Sequence, residues 1–175
     1  MISLRDLSDV EIKSAGIELA QPVTFHIRAL GAGGSYGWTY QSNDMFAYGW
    51  IIDADTRQPV WTMDVENTSA VHNDREFDGT VRLNRGSYEV YFAACTFTYH
   101  SMFTHMNTDV DHRNKPLFGP SESGKDHFFS FFSNLFSNDI TKEWKKRAPR
   151  WGIELLVDDT HASSVRTFTP PKVIG

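Results

Sequence analysis

The sequence predicts a mainly β protein: a two-sheet antiparallel sandwich of jelly-roll or immunoglobulin-like type, with one phenylalanine-rich helical insertion around residues 124–147. Three observations predict this class. Short segments alternate apolar and polar residues, turn-forming residues separate them, and aromatic residues, which favour pleated surfaces, make up 14% of the chain. At 175 residues, we expect one domain over residues 1–175, either complete or as a piece of a longer chain.

The first clear strand is PVTFHIRAL, residues 22–30. Its apolar residues recur at every second position, which puts them on one face of a half-buried strand, and His26 falls on the opposite, polar face. The segment LGAGGSYGWTYQSND follows and is too irregular for a strand. We interpret it as a long surface loop, and its aromatic residues could stack on the apolar face of a sugar or peptide: Tyr36, Trp38 and Tyr40.

A hairpin is predicted next. MFAYGWIIDA has Phe46, Tyr48, Trp50 and Ile52 on one side, and a polar turn leads to VWTMDV. Pro59 stands at the start of the second strand, where its missing N–H costs least.

The most apolar strand is SYEVYFAACTFTY, which follows FDGTVRL and the tight link Asn84-Arg85-Gly86. It carries apolar residues on both faces, so we expect a central strand with another layer packed over its outer side. Its single cysteine, Cys95, is expected to be a small buried hydrophobe. WGIELLVDD and SSVRTFTP supply two more short strands near the end.

The stretch from Phe46 to Phe92 resembles the accessory β-sandwich domains of bacterial exported proteins, including the pre-peptidase C-terminal type. WIIDADTRQPVW and VRLNRGSYEVYF carry this resemblance, about a quarter of the chain. The resemblance implies a non-catalytic module attached to, or assisting, something larger.

The helical insertion begins at a capping box, Ser123 to Asp126. Aromatic and aliphatic residues then recur every fourth position. This stripe either covers the outer face of the central strand or meets a partner protein. The candidate partner-binding residues are Phe128, Phe129, Phe132 and Phe136.

A separate segment concentrates imidazole and carboxylate groups, the usual ligands of Zn²⁺ and Fe²⁺. Its spacing matches no standard template, so a divalent metal here is an alternative rather than the leading expectation. The candidate ligands are His100, His105, Asp109 and His112. We identify no catalytic triad.

The charge distribution argues against nucleic acid as a partner, because a net charge of −5 offers no basic excess to bind phosphates. No apolar run is long enough for a membrane span, and the first residues lack the pattern of a secretion signal. The compartment stays open.

We therefore carry three hypotheses. The leading one is a non-catalytic β-sandwich module that recognises a protein or carbohydrate and needs no cofactor. The second is a metal-binding domain or metal-dependent enzyme built on the segment from His100 to His112. The third is a structural or assembly subunit, a homo-oligomer included, that buries the phenylalanine-rich helix.

Overall fold

A computed structural model describes residues 1–8, 11–34, 45–94 and 145–171, and these residues contain ten strands that pair antiparallel. The strands are β1 (Ile2–Leu4), β2 (Glu11–Leu19), β3 (Val23–Gly33), β4 (Met45–Asp53), β5 (Pro59–Thr62), β6 (Ser69–Val71), β7 (Asp74–Leu83), β8 (Gly86–Ala94), β9 (Gly152–Leu156) and β10 (Val165–Phe168). The predicted mainly β class is confirmed.

The strands form one curled antiparallel sheet in the order β1-β9-β3-β4-β8-β2-β10, with β5 beside β4, β7 beside β3 and β6 beside β7. Strand β3 pairs with three other strands. It pairs with β7 from Val23 to Gly31 and with β9 from His26 to Leu30. Its last residues, Ala32 and Gly33, pair with β4, with a register shift between them.

The alternation predicted for β3 is present. Its apolar side chains are buried and its polar ones are exposed, so this strand has one core face and one solvent face. His26 lies on the solvent face, as predicted, where its Nε2 is 2.8 Å from Asp78 Oδ1. The neighbouring Arg28 contacts the other oxygen of Asp78 at 3.7 Å.

Strand β8 is central, as its composition predicts. It lies between β4 and β2 and pairs with both without a register shift. Every residue from Tyr88 to Ala94 is buried. The core face of β4 meets β9 across the interior: a Cβ added to Gly49 would stand 3.0 Å from Ile153 Cδ1. The largest fully buried side chains include Trp151, Phe25, Phe46 and Phe92.

Three details differ from the sequence-based expectations. Strand β2 was not predicted from the pattern of EIKSAGIEL. Strand β6 lies in a segment expected to be a polar connection, and β7 begins at Asp74 rather than Phe77. The tight link expected at Asn84–Gly86 does lie between two strands, β7 and β8; β7 pairs with β3, while β8 pairs with β4 and β2.

The helical insertion expected around 124–147 lies outside the described residues except for 145–147, which are helical and run into a 3-10 turn at Ala148–Arg150. Within the described residues, no helix has the length and apolar character needed to cross a membrane.

Candidate functional site

The site residues predicted from the sequence lie outside the described part of the chain. These are the loop aromatics Tyr36, Trp38 and Tyr40, the helix residues Phe128, Phe129, Phe132 and Phe136, the candidate metal ligands His100, His105, Asp109 and His112, and Cys95. In residues 1–8, 11–34, 45–94 and 145–171, no group of three or more His, Cys, Asp or Glu side chains is arranged to hold a metal ion.

The described residues bring together a different aromatic group, on the face of β4 and β8 opposite to that of Gly49 and Phe92. We call Tyr48, Trp50 and Tyr91 the aromatic row. The rings of Trp50 and Tyr91 are stacked, with centroids 5.2 Å apart and planes 9° apart. The rings of Tyr48 and Trp50 are tilted by 40° at a centroid distance of 5.3 Å.

Strand register produces this row. Trp50 is directly opposite Tyr91, so their side chains stand beside each other on the same face. On its other side Trp50 is opposite Thr62 of edge strand β5, a small and exposed residue. Tyr91 is buried and supports one side of the indole, and the Trp50 side chain is half-buried.

A buried acidic residue lies on the same face, next to Tyr91. The Glu89 side chain is only 4% exposed. Its Oε2 accepts a hydrogen bond of 2.5 Å from the Tyr91 hydroxyl and another of 2.6 Å from Arg57 Nη1. Burying a carboxylate without such partners costs several kcal/mol, so these two donors are what make Glu89 compatible with this position.

The turn between β4 and β5 presents Arg57. Asp53 holds the turn, because its Oδ1 accepts the backbone N–H groups of Asp55 and Thr56 at 3.0 and 2.7 Å. Arg57 itself has a φ of 61°, a left-handed conformation that is uncommon outside glycine. The conformation carries the Arg57 side chain back over β8, where its guanidinium meets Glu89.

The pKa shifts of Arg57, Tyr91 and Asp53 all favour the protonation states that these hydrogen bonds require. Hydrogen bonds to Glu89, and then to Tyr91, raise the pKa of Arg57, so the guanidinium stays charged. Burial, together with the bond to Glu89, raises the pKa of the Tyr91 phenol, so the phenol remains a proton donor at neutral pH. Hydrogen bonds from Thr56 lower the pKa of Asp53, which keeps the turn-holding carboxylate ionised.

Apolar side chains border the site toward β2 and β10. Glu89 is directly opposite Gly16 of β2, and Gly16 is opposite Phe168 of β10. The Phe168 ring lies over Gly16, in the space that a Cβ would fill. Phe168 and Ile12 are 37% and 55% exposed. The face therefore combines aromatic and aliphatic surface with one ion pair.

A second cluster has a structural role. The carboxylate of Asp74, which is buried, accepts a hydrogen bond of 3.1 Å from the Trp151 indole N–H and one of 3.3 Å from Arg147. Arg150 approaches the other oxygen at 3.8 Å. Donors surround this carboxylate, and the cluster joins β7 to the segment that precedes β9.

A third group, Asp158, Thr160 and His161, contains the residue types of a catalytic triad but not its geometry. Both Thr160 Oγ1 and Asp158 Oδ1 approach the same ring nitrogen of His161, Nδ1, at 3.0 and 2.8 Å. A proton relay needs the hydroxyl and the carboxylate on opposite nitrogens. This group closes an exposed turn.

The aromatic row can stack on a flat apolar surface, and the Glu89–Arg57 pair can exchange hydrogen bonds with polar groups at its side. The sequence placed Tyr48 and Trp50 on one side of β4 but did not identify them as a site. A usable signal was present: Glu89 is the only charged residue in the otherwise apolar SYEVYFAA.

Comparison of the chain with protein-family models, with curated proteins and with solved structures finds no match.

Proposed function

We propose that this protein is a non-catalytic β-sandwich module that binds a carbohydrate, with Trp50 as the stacking surface. The observation that carries the proposal is the Trp50 indole, which stacks on Tyr91 on one side and, among the described strands, is opposite the small residue Thr62 on the other. A ring held in this way is already in place before a ligand arrives, so little conformational entropy is lost on binding.

The chemistry of the face suits a sugar. The C–H face of a pyranose is flat and apolar and packs on an aromatic ring, while its hydroxyl groups need donors and acceptors at the ring's edge. Trp50 supplies the ring. Glu89, two residues from Tyr91 along β8, supplies an acceptor, and Arg57 of the turn between β4 and β5 supplies a donor.

A protein partner on the same face is the second candidate. The exposed side chains of Ile12 and Phe168 support it, because both extend the apolar area beyond the aromatic row. An accessory module of either kind agrees with the resemblance to domains of exported proteins.

We also propose the two-sheet sandwich as the finer description of the fold. Two contacts support it. Gly49 of β4 faces Ile153 of β9 across the interior, and the Tyr88 hydroxyl donates to the backbone carbonyl of Asn84, four residues upstream, at 3.2 Å. A tyrosine bonded in this way is a feature of immunoglobulin-like sandwiches.

Binding to a panel of soluble polysaccharides tests the function. The panel contains β-glucan, xylan, mannan and pectin, and retardation of the native protein in polysaccharide-containing gels reports binding. We expect at least one polysaccharide to retard the protein. Trp50→Ala should weaken that binding about tenfold or more, since an aromatic contact of about 1.4 kcal/mol corresponds to a factor of ten.

The control is Arg28→Ala, on the solvent face of β3, which should bind like the unaltered protein. Circular dichroism verifies that both variants are folded. Failure of every polysaccharide to bind, or full binding by folded Trp50→Ala, would overturn the proposal.

A further inference from the structure

We infer that Glu89 and Arg57 determine which carbohydrate binds, and that they select a neutral saccharide with a vicinal diol over acidic sugars and amino sugars. This inference rests on the proposed carbohydrate function and names the ligand class for the same face.

Both hydrogen bonds that Glu89 accepts from described residues are made to the same carboxylate oxygen. Tyr91 and Arg57 both donate to Oε2. In the part of the chain that the structure describes, Oε1 receives no hydrogen bond. A carboxylate oxygen has two lone pairs and is a strong acceptor when ionised, so Oε1 is available to a donor from outside the protein.

Arg57 has unused donors beside this acceptor. A guanidinium has five N–H groups, and Arg57 directs some of them to Glu89 and to the Tyr91 hydroxyl. Its side chain is 54% exposed, which leaves room for a ligand to approach the guanidinium. The site therefore places an acceptor and donors that the described residues do not fully use next to each other, at the edge of the aromatic row.

A vicinal diol matches this arrangement. One hydroxyl donates its proton to Glu89 Oε1, and the oxygen of the adjacent hydroxyl accepts an N–H from Arg57. Each hydroxyl group can act as donor and acceptor at once, so both contacts form without any change of protonation.

The charges of the pair discriminate against charged sugars. Glu89 and Arg57 cancel each other, so the site gives a neutral ligand its hydrogen bonds at no cost in charge repulsion. A uronic acid would bring a second carboxylate beside Glu89, and an amino sugar would bring an ammonium beside Arg57. Each would also lose hydration of its own charge without a net opposite charge to replace it.

The turn prepares Arg57 for this role. A left-handed backbone at a non-glycine residue has an energetic cost and persists only where the surroundings maintain it. Here Arg57 N–H donates to the Asp53 carbonyl at 2.9 Å, and the guanidinium is fixed by Glu89. The donor is thus oriented before the ligand arrives.

The test compares three oligosaccharides that share the backbone selected by the polysaccharide panel and differ in charge; the acidic sugar carries a carboxylate in place of the 6-hydroxymethyl group, and the amino sugar an ammonium in place of the 2-hydroxyl. For a β-1,4-glucan these are hexasaccharides of glucose, glucuronic acid and glucosamine, measured by isothermal titration calorimetry at pH 6. We expect the unaltered protein to bind the neutral hexasaccharide about tenfold or more tightly than either charged one.

Two variants should shift this preference in opposite directions. Glu89→Gln leaves Arg57 as a single positive charge. The ratio of the affinity for the acidic hexasaccharide to that for the neutral one should then rise about tenfold over its value in the unaltered protein. Arg57→Gln leaves Glu89 as a single negative charge and should do the same for the amino sugar. Trp50→Ala should weaken all three ligands by a similar factor and keep their ratios.

If the pair only fastens the turn to β8, the variants will lower stability but leave the three ratios unchanged, and that result would overturn the inference while leaving the carbohydrate function standing. Binding of none of the saccharides would instead overturn the proposed function. Should Glu89→Gln fail to fold, Arg57→Gln alone decides, because Arg57 is on the surface and its ratio for the amino sugar still has to change.

Discussion

The indole N–H of Trp151 donates a hydrogen bond of 3.1 Å to the carboxylate of Asp74, and both side chains are buried. The bond connects the start of β7 with the residue before β9. Arg147 donates to the same carboxylate oxygen, so one buried acidic group receives an indole and a guanidinium.

This relationship makes Asp74 a sensitive position. We expect Asp74→Ala to lower the free energy of unfolding by about 3 kcal/mol, because it removes a buried carboxylate that accepts hydrogen bonds from both Trp151 and Arg147. Urea denaturation measures the effect. Asp78→Ala, which removes an exposed carboxylate from the ion pairs with His26 and Arg28, should change it by less than about 1 kcal/mol. Equal effects of the two variants would contradict a special role for Asp74.

Two glycines should respond differently to the same substitution. A Cβ at Gly31 would overlap the backbone carbonyl of Ala47, which cannot move without disturbing β4. A Cβ at Gly16 would meet only the partly exposed Phe168 ring, which can rotate away. We expect Gly31→Ala to cost about 3 kcal/mol and Gly16→Ala less than about 1 kcal/mol, both from urea denaturation. The idea fails if Gly16→Ala is the more damaging.

The hydroxyl of Tyr88 should contribute measurably to stability. Tyr88 is buried, its hydroxyl donates to the Asn84 carbonyl at 3.2 Å, and burial raises the pKa of its phenol. Tyr88→Phe removes the donor and should destabilise the protein by about 1 kcal/mol. Because the acceptor is main chain, Asn84→Ala keeps the bond and should be nearly neutral. An unchanged free energy of unfolding in Tyr88→Phe would show that the bond does not stabilise the fold.

The turn at Asp158 predicts a pH dependence. Hydrogen bonds from Thr160 and His161 lower the pKa of Asp158 from 3.8 to about 2. Since the folded pKa is the lower one, the ionised carboxylate stabilises the fold above about pH 4, and this contribution disappears as the pH falls toward 2.

Thermal unfolding between pH 7 and pH 2 measures this contribution. Asp158→Asn should have a lower melting temperature than the unaltered protein at pH 7, and the difference should shrink toward zero near pH 2. Asp159→Asn, at the neighbouring exposed position, is the control and should show no such trend. A difference for Asp158→Asn that is constant with pH would refute the assignment.

Much of the sheet followed from local patterns. The two-residue period of β3 fixed its core face, and the apolar character of both faces identified β8 as central, because a strand buried on both sides needs no polar alternation. Strand β2 escaped prediction because its position is fixed by pairing with β8 and β10 rather than by its own composition.

The candidate site contains contacts that local sequence patterns do not predict. Sequence alone determined that Tyr48 and Trp50 share a face of β4, since side chains alternate along any strand. Only the tertiary structure decided that Tyr91 would stand against Trp50, and that Arg57 would reach Glu89 from 32 residues away. Register and cross-strand partners depend on the packing of the whole sheet, which a periodic pattern within one segment does not contain.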